Sequence, residues 1–321
     1  MSDSEFDVID QYFKSDFLRD DVSVGIGDDC ALLDVPQNKQ LVTTTDTLIS
    51  GVHFPAETNP EDIASKVLAV NLSDLAAMGA QPTWITLALT IPAVDHQWLE
   101  AFSISFHREL KQYNVQLIGG DTTKGPLSIT VQAMGTVDKN KSMLRSNAKS
   151  ADLIYVSGCL GDAALGLMLH QKKTTSINAS YFIGRLNRPD ARVELGQALT
   201  EYCNCAIDIS DGLFADLGHI LESSGCGAEV ILNKIPVSTQ MQNYLANEDT
   251  KVGIHKLMRG DDYELCFTVS KDKGADIQKL GEQLNIPLTC IGIITEGEGM
   301  TFINNGKVVY VKSSGFNHFT G

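Results

Sequence analysis

Two runs of alternating strand and helix signals, parted by one polar stretch, constrain this chain more than any other feature. In the first run Leu41–Asp46 is β-rich and leads to a turn at Gly51. Asn59-Pro60-Glu61-Asp62 reads as a helix start, with Asn as cap, Pro at the first position and acids facing the positive end of the helix. Ile63, Val67, Val70 and Leu75 then recur at helical spacing as far as Gly79. Thr83–Ile91 is a strand closed by Pro92, and Asp95 caps an amphipathic helix through Trp98, Phe102, Phe106 and Leu110. Leu127–Val137 is a further strand. After Asp138–Asp152 the alternation resumes: strand 153–157, helices 162–170 and 191–202, strand 206–209, helix 213–223, then strands near 264–269, 288–294 and 308–312. No low-complexity tract or short-period repeat interrupts it. The expectation is an α+β (α/β) protein of two domains, 1–148 and 149–321, and 321 residues suit two domains of ~100–200 each.

Charge narrows the function. Forty acids against 25 Lys and Arg leave a net charge of −15, which excludes electrostatic binding of nucleic acid and gives no basic stripe for an anionic membrane. A chain this acidic that binds phosphates must bring in positive charge, most simply as a divalent metal. The N-terminus has no signal-peptide pattern, and apolar runs such as Ile85–Ile91 fall short of the ~20 residues of a membrane helix. Seven cysteines without C-x-x-C spacing read as small buried hydrophobes in a reducing cytoplasm rather than a zinc site or disulfide framework.

The acids gather beside Gly, Ser or Thr: Gly27-Asp28-Asp29, Thr44-Thr45-Asp46, Ser73-Asp74, Gly119-Gly120-Asp121, Asp208-Ile209-Ser210-Asp211-Gly212 and Gly260-Asp261-Asp262. Each alone is well explained by capping and turns. Six together point to convergence. Carboxylates ~4 Å apart repel by ~1–4 kcal/mol, and Mg²⁺ relieves this while accepting substrate phosphates as further ligands. Familiar nucleotide motifs are missing: Lys124 is misplaced for a phosphate loop, Gly25–Cys30 departs from the dinucleotide fingerprint, and His107-Arg108-Glu109 lies in a helix.

Taken in order, G-I-G-D-D-C-A at 25–31, T-T-D-T-L-I-S-G-V-H-F at 44–54, N-L-S-D-L-A-A-M-G-A at 71–80, G-G-D-T-T at 119–123, D-I-S-D-G-L at 208–213, G-D-D-Y-E-L at 260–265 and G-F-N-H-F at 315–319 resemble the thiamine-monophosphate kinase family. That family belongs to the aminoimidazole-ribonucleotide-synthetase-like superfamily. The resemblance implies an N-terminal α/β domain that dimerises through its strands, a C-terminal α+β domain, and an active site between domains near the dimer interface. It implies transfer of phosphate from ATP to thiamine monophosphate in the cytoplasm, by a homodimer with several Mg²⁺ ions.

By motif, Asp28, Thr44, Thr45, Asp46, Asp74, Asp121, Asp208 and Asp211 would hold metal, with Asp46, Asp74 and Asp211 central to catalysis. Asp29 is the alternative to Asp28. Gly120, Asp121, Arg145 and Ser210 would contact ATP, and His53, Asp261 and Phe316 the thiamine end. Each has a plainer reading: His53 as a turn residue, Arg145 as solvated surface, Phe316 as packing of the tail. The acceptor is an ionised phosphate oxygen, so direct in-line transfer needs no general base and no covalent enzyme intermediate. Alternatives are another ATP-using enzyme of the superfamily or a non-catalytic Mg²⁺–nucleotide sensor.

Overall fold

The computed structural model describes residues 4–247 and 258–311. Two structural units emerge, one of residues 1–75 and 80–140, the other of 76–79 and 141–321. Mixed helix and sheet in both gives the α+β class.

The first unit opens with helix α1 (Glu5–Val8), which continues as a π-helical turn, Ile9–Phe13. Ser4 and Asp7 form a reciprocal capping box at its start. The segment docks on the next long helix through Tyr12, whose hydroxyl meets His96 Nδ1 at 2.7 Å and whose carbonyl accepts from His107 Nε2 at 3.0 Å. His107 is half-buried, and burial lowers its pKa. A short ribbon, β1 (Val22–Val24) with β2 (Leu32–Leu33), carries the Gly27-Asp28-Asp29 turn between its strands.

The main sheet has four strands, β3 (Lys39–Ile49), β4 (Gln81–Ile91), β5 (Gln116–Lys124) and β6 (Ser128–Asp138), in the order β3-β6-β4-β5. Only the β4–β5 pair is parallel. Helix α2 (Pro60–Ala77) starts at the expected Asn59, whose carbonyl accepts from Ile63 N–H. Residues 63–73 are all buried, as in a helix enclosed on every side. Helix α3 (His96–Gln112) is amphipathic, capped by Asp95, with Phe102 stacked between Trp98 and Phe106 at 5.0 and 5.4 Å. On β3 exposure alternates. Leu41, Thr43, Thr45, Thr47 and Ile49 lie on an open face, while Thr44, Asp46 and Leu48 face the other way.

The second unit is built on a seven-stranded sheet of β7 (Leu153–Ser157), β8 (Cys205–Asp208), β9 (Gly227–Ile231), β10 (Leu265–Val269), β11 (Leu288–Thr295), β12 (Gly299–Asn304) and β13 (Lys307–Val309). Their order is β13-β12-β9-β11-β7-β10-β8, with only β12 and β9 parallel. Helices α4 (Asp162–His170), α5 (Ala179–Asn187), α6 (Val193–Leu199), α7 (Leu213–Ser224), α8 (Thr239–Asn247) and α9 (Gly274–Leu284) accompany it. Sequence signals had shown neither α5, α8 and α9 nor β5 and β12. The core joins Ile154, Val156, Ile207, Leu217, Val230 and Ile291, and Phe214 meets Phe302 edge-on at 4.9 Å.

The cysteines correct one expectation. Cys205, Cys226 and Cys266 are buried, Cys159, Cys203 and Cys290 are intermediate, but Cys30 is exposed. It sits in an acid-rich turn, where apolar packing has no purchase. Among the described residues no helix is long and apolar enough to cross a membrane.

Candidate active site

In the first unit, strand alternation and one helix bring Thr44, Asp46 and Asp74 together. Thr44 Oγ1 donates to Asp74 Oδ2 at 2.5 Å, joining β3 to α2. The buried Asn71 fixes the same junction: its Nδ2 donates to Val67 O at 2.9 Å, and its Oδ1 accepts from Asp46 N–H at 3.2 Å. Burial, and then the charge of Asp74, push the Asp46 carboxyl up to about 6. The pair thus resists holding two negative charges without a cation, and its donors are all oxygen, the set Mg²⁺ prefers. Thr45 differs from its neighbours, because its side chain lies on the open face of the sheet.

A second grouping lines a cavity of about 790 Å³. Asp28, Asp29, Gly120 and Asp121 line it, together with Phe6, Asp10, Phe13 and Lys14 of the N-terminal segment. Asp28 Oδ1 accepts from Asp29 N–H at 2.8 Å, closing the turn, and both carboxylates are exposed. Gly119-Gly120-Asp121 is not a loop at an element end, as its glycines suggest, but part of β5. The glycine at 120 is required by the neighbouring strand, since a Cβ there would lie 1.9 Å from Leu87 O. At Gly119 the space is open.

His53 follows β3 in a tight turn. Its Nδ1 accepts from Ile49 N–H at 2.9 Å, so the neutral ring carries its proton on Nε2. The residue closes a turn and is half-buried. Arg145 opens a single 3-10 turn and is exposed; its carbonyl accepts from Ser224 Oγ at 2.8 Å. Phe316 and the G-F-N-H-F motif lie outside the described residues.

In the second unit, Asp208 ends β8 and is buried, and Ser210 and Asp211 follow in the loop before α7. The loop is organised by a residue that the motif does not include. Asp216 Oδ2 accepts from the backbone N–H groups of Ser210, Asp211 and Gly212 at 3.1, 3.1 and 3.0 Å. Burial first, then the charge of Asp211, push Asp216 up to about 7, against the pull of those three bonds. His219, one turn further along, completes a cluster with Asp211 and Asp216 whose ligand atoms lie within 4.8 Å of one another. Spacing of Asp and His by three on a helix that follows Asp-Gly was the signal available for it.

Gly260–Glu264 is bound to the same loop. Asp261 N–H donates to Ser210 O and Tyr263 N–H to Ile209 O, both at 2.9 Å, and Ile209 N–H donates to Glu264 O at 2.8 Å. A Cβ on Gly260 would lie 2.1 Å from Ser210 O, so the two motifs touch backbone to backbone. Asp261 and Tyr263 both adopt left-handed backbone, with φ of 61° and 51°. Such conformations cost about 1–2 kcal/mol per non-glycine residue and mark segments held for a purpose. Between and after them, Asp262 and Glu264 point inward. Asp262 accepts from Gly161 N–H on both oxygens at 3.0 Å, and burial raises its pKa. Glu264 is gripped at 2.6 Å by Arg192 Nε and Nη2 and by Ser157 Oγ.

Each of the two units carries a cluster of acidic side chains, and family models place the chain among the AIR-synthase-related proteins. The description "AIR synthase related protein, N-terminal domain" matches residues 27–137, and its C-terminal counterpart residues 149–304. A thiamine-monophosphate kinase of Haemophilus influenzae is 50% identical over 326 residues, covering 99% of each chain. The crystal structure of thiamine-monophosphate kinase from Stenotrophomonas maltophilia K279a superposes with a TM-score of 0.82 at 46% identity, covering 91% of this chain and 93% of that one. AaThiL complexed with AMPPCP and TMP gives a TM-score of 0.78 at 31% identity, covering 98% and 96%. This chain belongs to the thiamine-monophosphate kinase family.

Proposed function

We propose that the protein phosphorylates thiamine monophosphate with ATP, yielding thiamine diphosphate and ADP. The observation that carries this reading is the Asp46–Asp74 pair, two close carboxylates in a chain whose relatives are kinases of a phosphorylated acceptor. An AMPPCP and TMP complex of a relative supports both substrates. Asp28 or Asp29, Thr44, Thr45, Asp46, Asp74, Asp121, Asp208 and Asp211 are the proposed Mg²⁺ ligands. The ions would neutralise the phosphates of donor and acceptor, which otherwise repel. Gly120, Asp121, Arg145 and Ser210 are proposed for ATP, and His53, Asp261 and Phe316 for the thiamine end. His53 would offer its Nε2 proton to an acceptor oxygen. The acceptor phosphate attacks directly, so no side chain need be phosphorylated. Domains of 1–148 and 149–321 and a cytoplasmic location complete the reading.

The sheet topology supports a homodimer. Asp46 is on β3 and Asp121 on β5, at opposite edges of the sheet. Three strand spacings make about 14 Å, too far for one ion to bind both within one chain. A second copy whose β5 edge lies alongside the β3 edge of this one would bring one protomer's Asp46 towards the partner's Asp121. Mixing inactive Asp46→Asn and Asp121→Asn proteins should therefore restore about one quarter of wild-type ADP release, because half the dimers are mixed and each has one intact site. No restoration would place both acids in one chain's site. With thiamine monophosphate omitted, labelled ADP should not pass into ATP; exchange at the turnover rate would sink direct transfer.

A further inference from the structure

We infer that Tyr263, beside Asp261, forms the surface that receives the cationic thiazolium ring of thiamine monophosphate. The inference rests on the proposed placement of Asp261 at the thiamine end. Glycine adopts left-handed backbone freely, and the segment uses it at Gly260, where a Cβ would strike Ser210 O. At the next two left-handed positions it keeps side chains instead, one acidic and one aromatic.

The side chains sort into two sets. Asp262 and Glu264 are buried, fixed by Gly161 N–H and by Arg192, Arg185 and Ser157. Asp261 and Tyr263 are half-buried and meet each other, with the Tyr263 hydroxyl 3.4 Å from Asp261 Oδ1. The inward acids anchor the turn so that its strain cannot relax, and the outward pair is thereby held side by side. An aromatic ring held to a carboxylate through its hydroxyl suits a flat cation, through ring quadrupole and opposite charge together. Of the two substrates only the thiamine has such a group. ATP offers a neutral base and anionic phosphates, which Asp261 repels, so the pair selects acceptor over donor and directs the acceptor's phosphate away from itself.

The test compares Tyr263→Phe, Tyr263→Gly and Tyr263→Asn in steady-state kinetics, thermal melting and inhibition by an acceptor analogue whose thiazolium nitrogen is replaced by carbon, leaving the ring uncharged. Tyr263→Phe should match wild type within about twofold, because the ring face is kept. Tyr263→Gly should raise KM for thiamine monophosphate roughly tenfold, leave KM for ATP unchanged and melt no lower than wild type. Wild type should bind the charged acceptor roughly tenfold more tightly than the neutral analogue, and Tyr263→Gly should lose that preference. If Tyr263→Gly does not fold, Tyr263→Asn carries the comparison, since Asn tolerates the left-handed region. Unchanged KM for the acceptor, a parallel rise in KM for ATP, or a Tyr263→Phe as impaired as Tyr263→Gly would overturn the inference. Wild-type protein that releases no ADP with thiamine monophosphate would instead remove the kinase reading itself.

Discussion

Asp46 and Asp216 are both carboxyls pushed up, to about 6 and about 7, by burial first and a neighbouring carboxylate second, but their surroundings differ. Asp216 is cradled by three backbone N–H groups, which pull its pKa back down against burial and the charge of Asp211. Asp46 stands beside a second carboxylate, and what acts on it is burial and that neighbour's charge. The first arrangement builds a loop. The second leaves negative charge that a cation relieves. An acid with a perturbed pKa is thus not by itself evidence of a metal site, and what surrounds it decides.

The largest effect should come from removing the ion-holding pair. Asp46→Asn or Asp74→Asn should each lower turnover by roughly 10²–10⁴-fold at saturating substrates. The same Asp46→Asn change should stabilise the metal-free protein by about 1–2 kcal/mol at neutral pH, allowing for its partial exposure. The sign follows from the raised folded-state pKa. Stability is fully present below the unfolded value of 3.8 and is lost as pH rises through about 6, and Asn removes that loss. Urea melts of metal-free protein between pH 4 and 8 check it. Wild-type turnover, or an unchanged pH slope, would dissolve the contrast with Asp216.

Asp216→Ala should act the other way, costing about 2 kcal/mol of stability because three loop N–H groups lose their acceptor. Activity should fall through the displaced Ser210 and Asp211, with Asp216→Asn recovering part of it by keeping one acceptor oxygen. A variant as stable as wild type would show that the cradle is not what holds the loop. The smallest effect is expected at His219. Imidazole is a poor partner for Mg²⁺, so His219→Ala should change the Mg²⁺ dependence of turnover by less than about twofold. A large loss restored by Mn²⁺ would make the α7 cluster a metal site and erase the contrast between Asp216 and Asp46.

Much of the framework is legible along the chain. Asn59-Pro60 opens α2 and Asp95 caps α3 because capping is a local matter, settled within a few residues. The strand at 83–91 shows because six of its nine residues are buried. β5 does not show, since Gly119 and Gly120 read as a turn until Leu87 is placed against them. The acids of the motifs are visible for the same local reason, as they sit among glycines and hydroxyls. Asp216 and His219 are not, for they lie on an ordinary-looking amphipathic helix.

The sequence by itself determined the alternation of elements, the acidic balance that calls for a cation, and the ordered motifs by which the family is known. Which acids meet was left to the tertiary structure. Strand alternation puts Thr44 and Asp46 on one face and Thr45 on the other, and strand order sets Asp46 and Asp121 at opposite edges. The left-handed turns at Asp261 and Tyr263 exist only because Arg192, Ser157 and Gly161 hold the residues between and after them. Capping and composition act over a few residues, whereas pairing, burial and strain depend on partners tens of residues away, which no local pattern encodes.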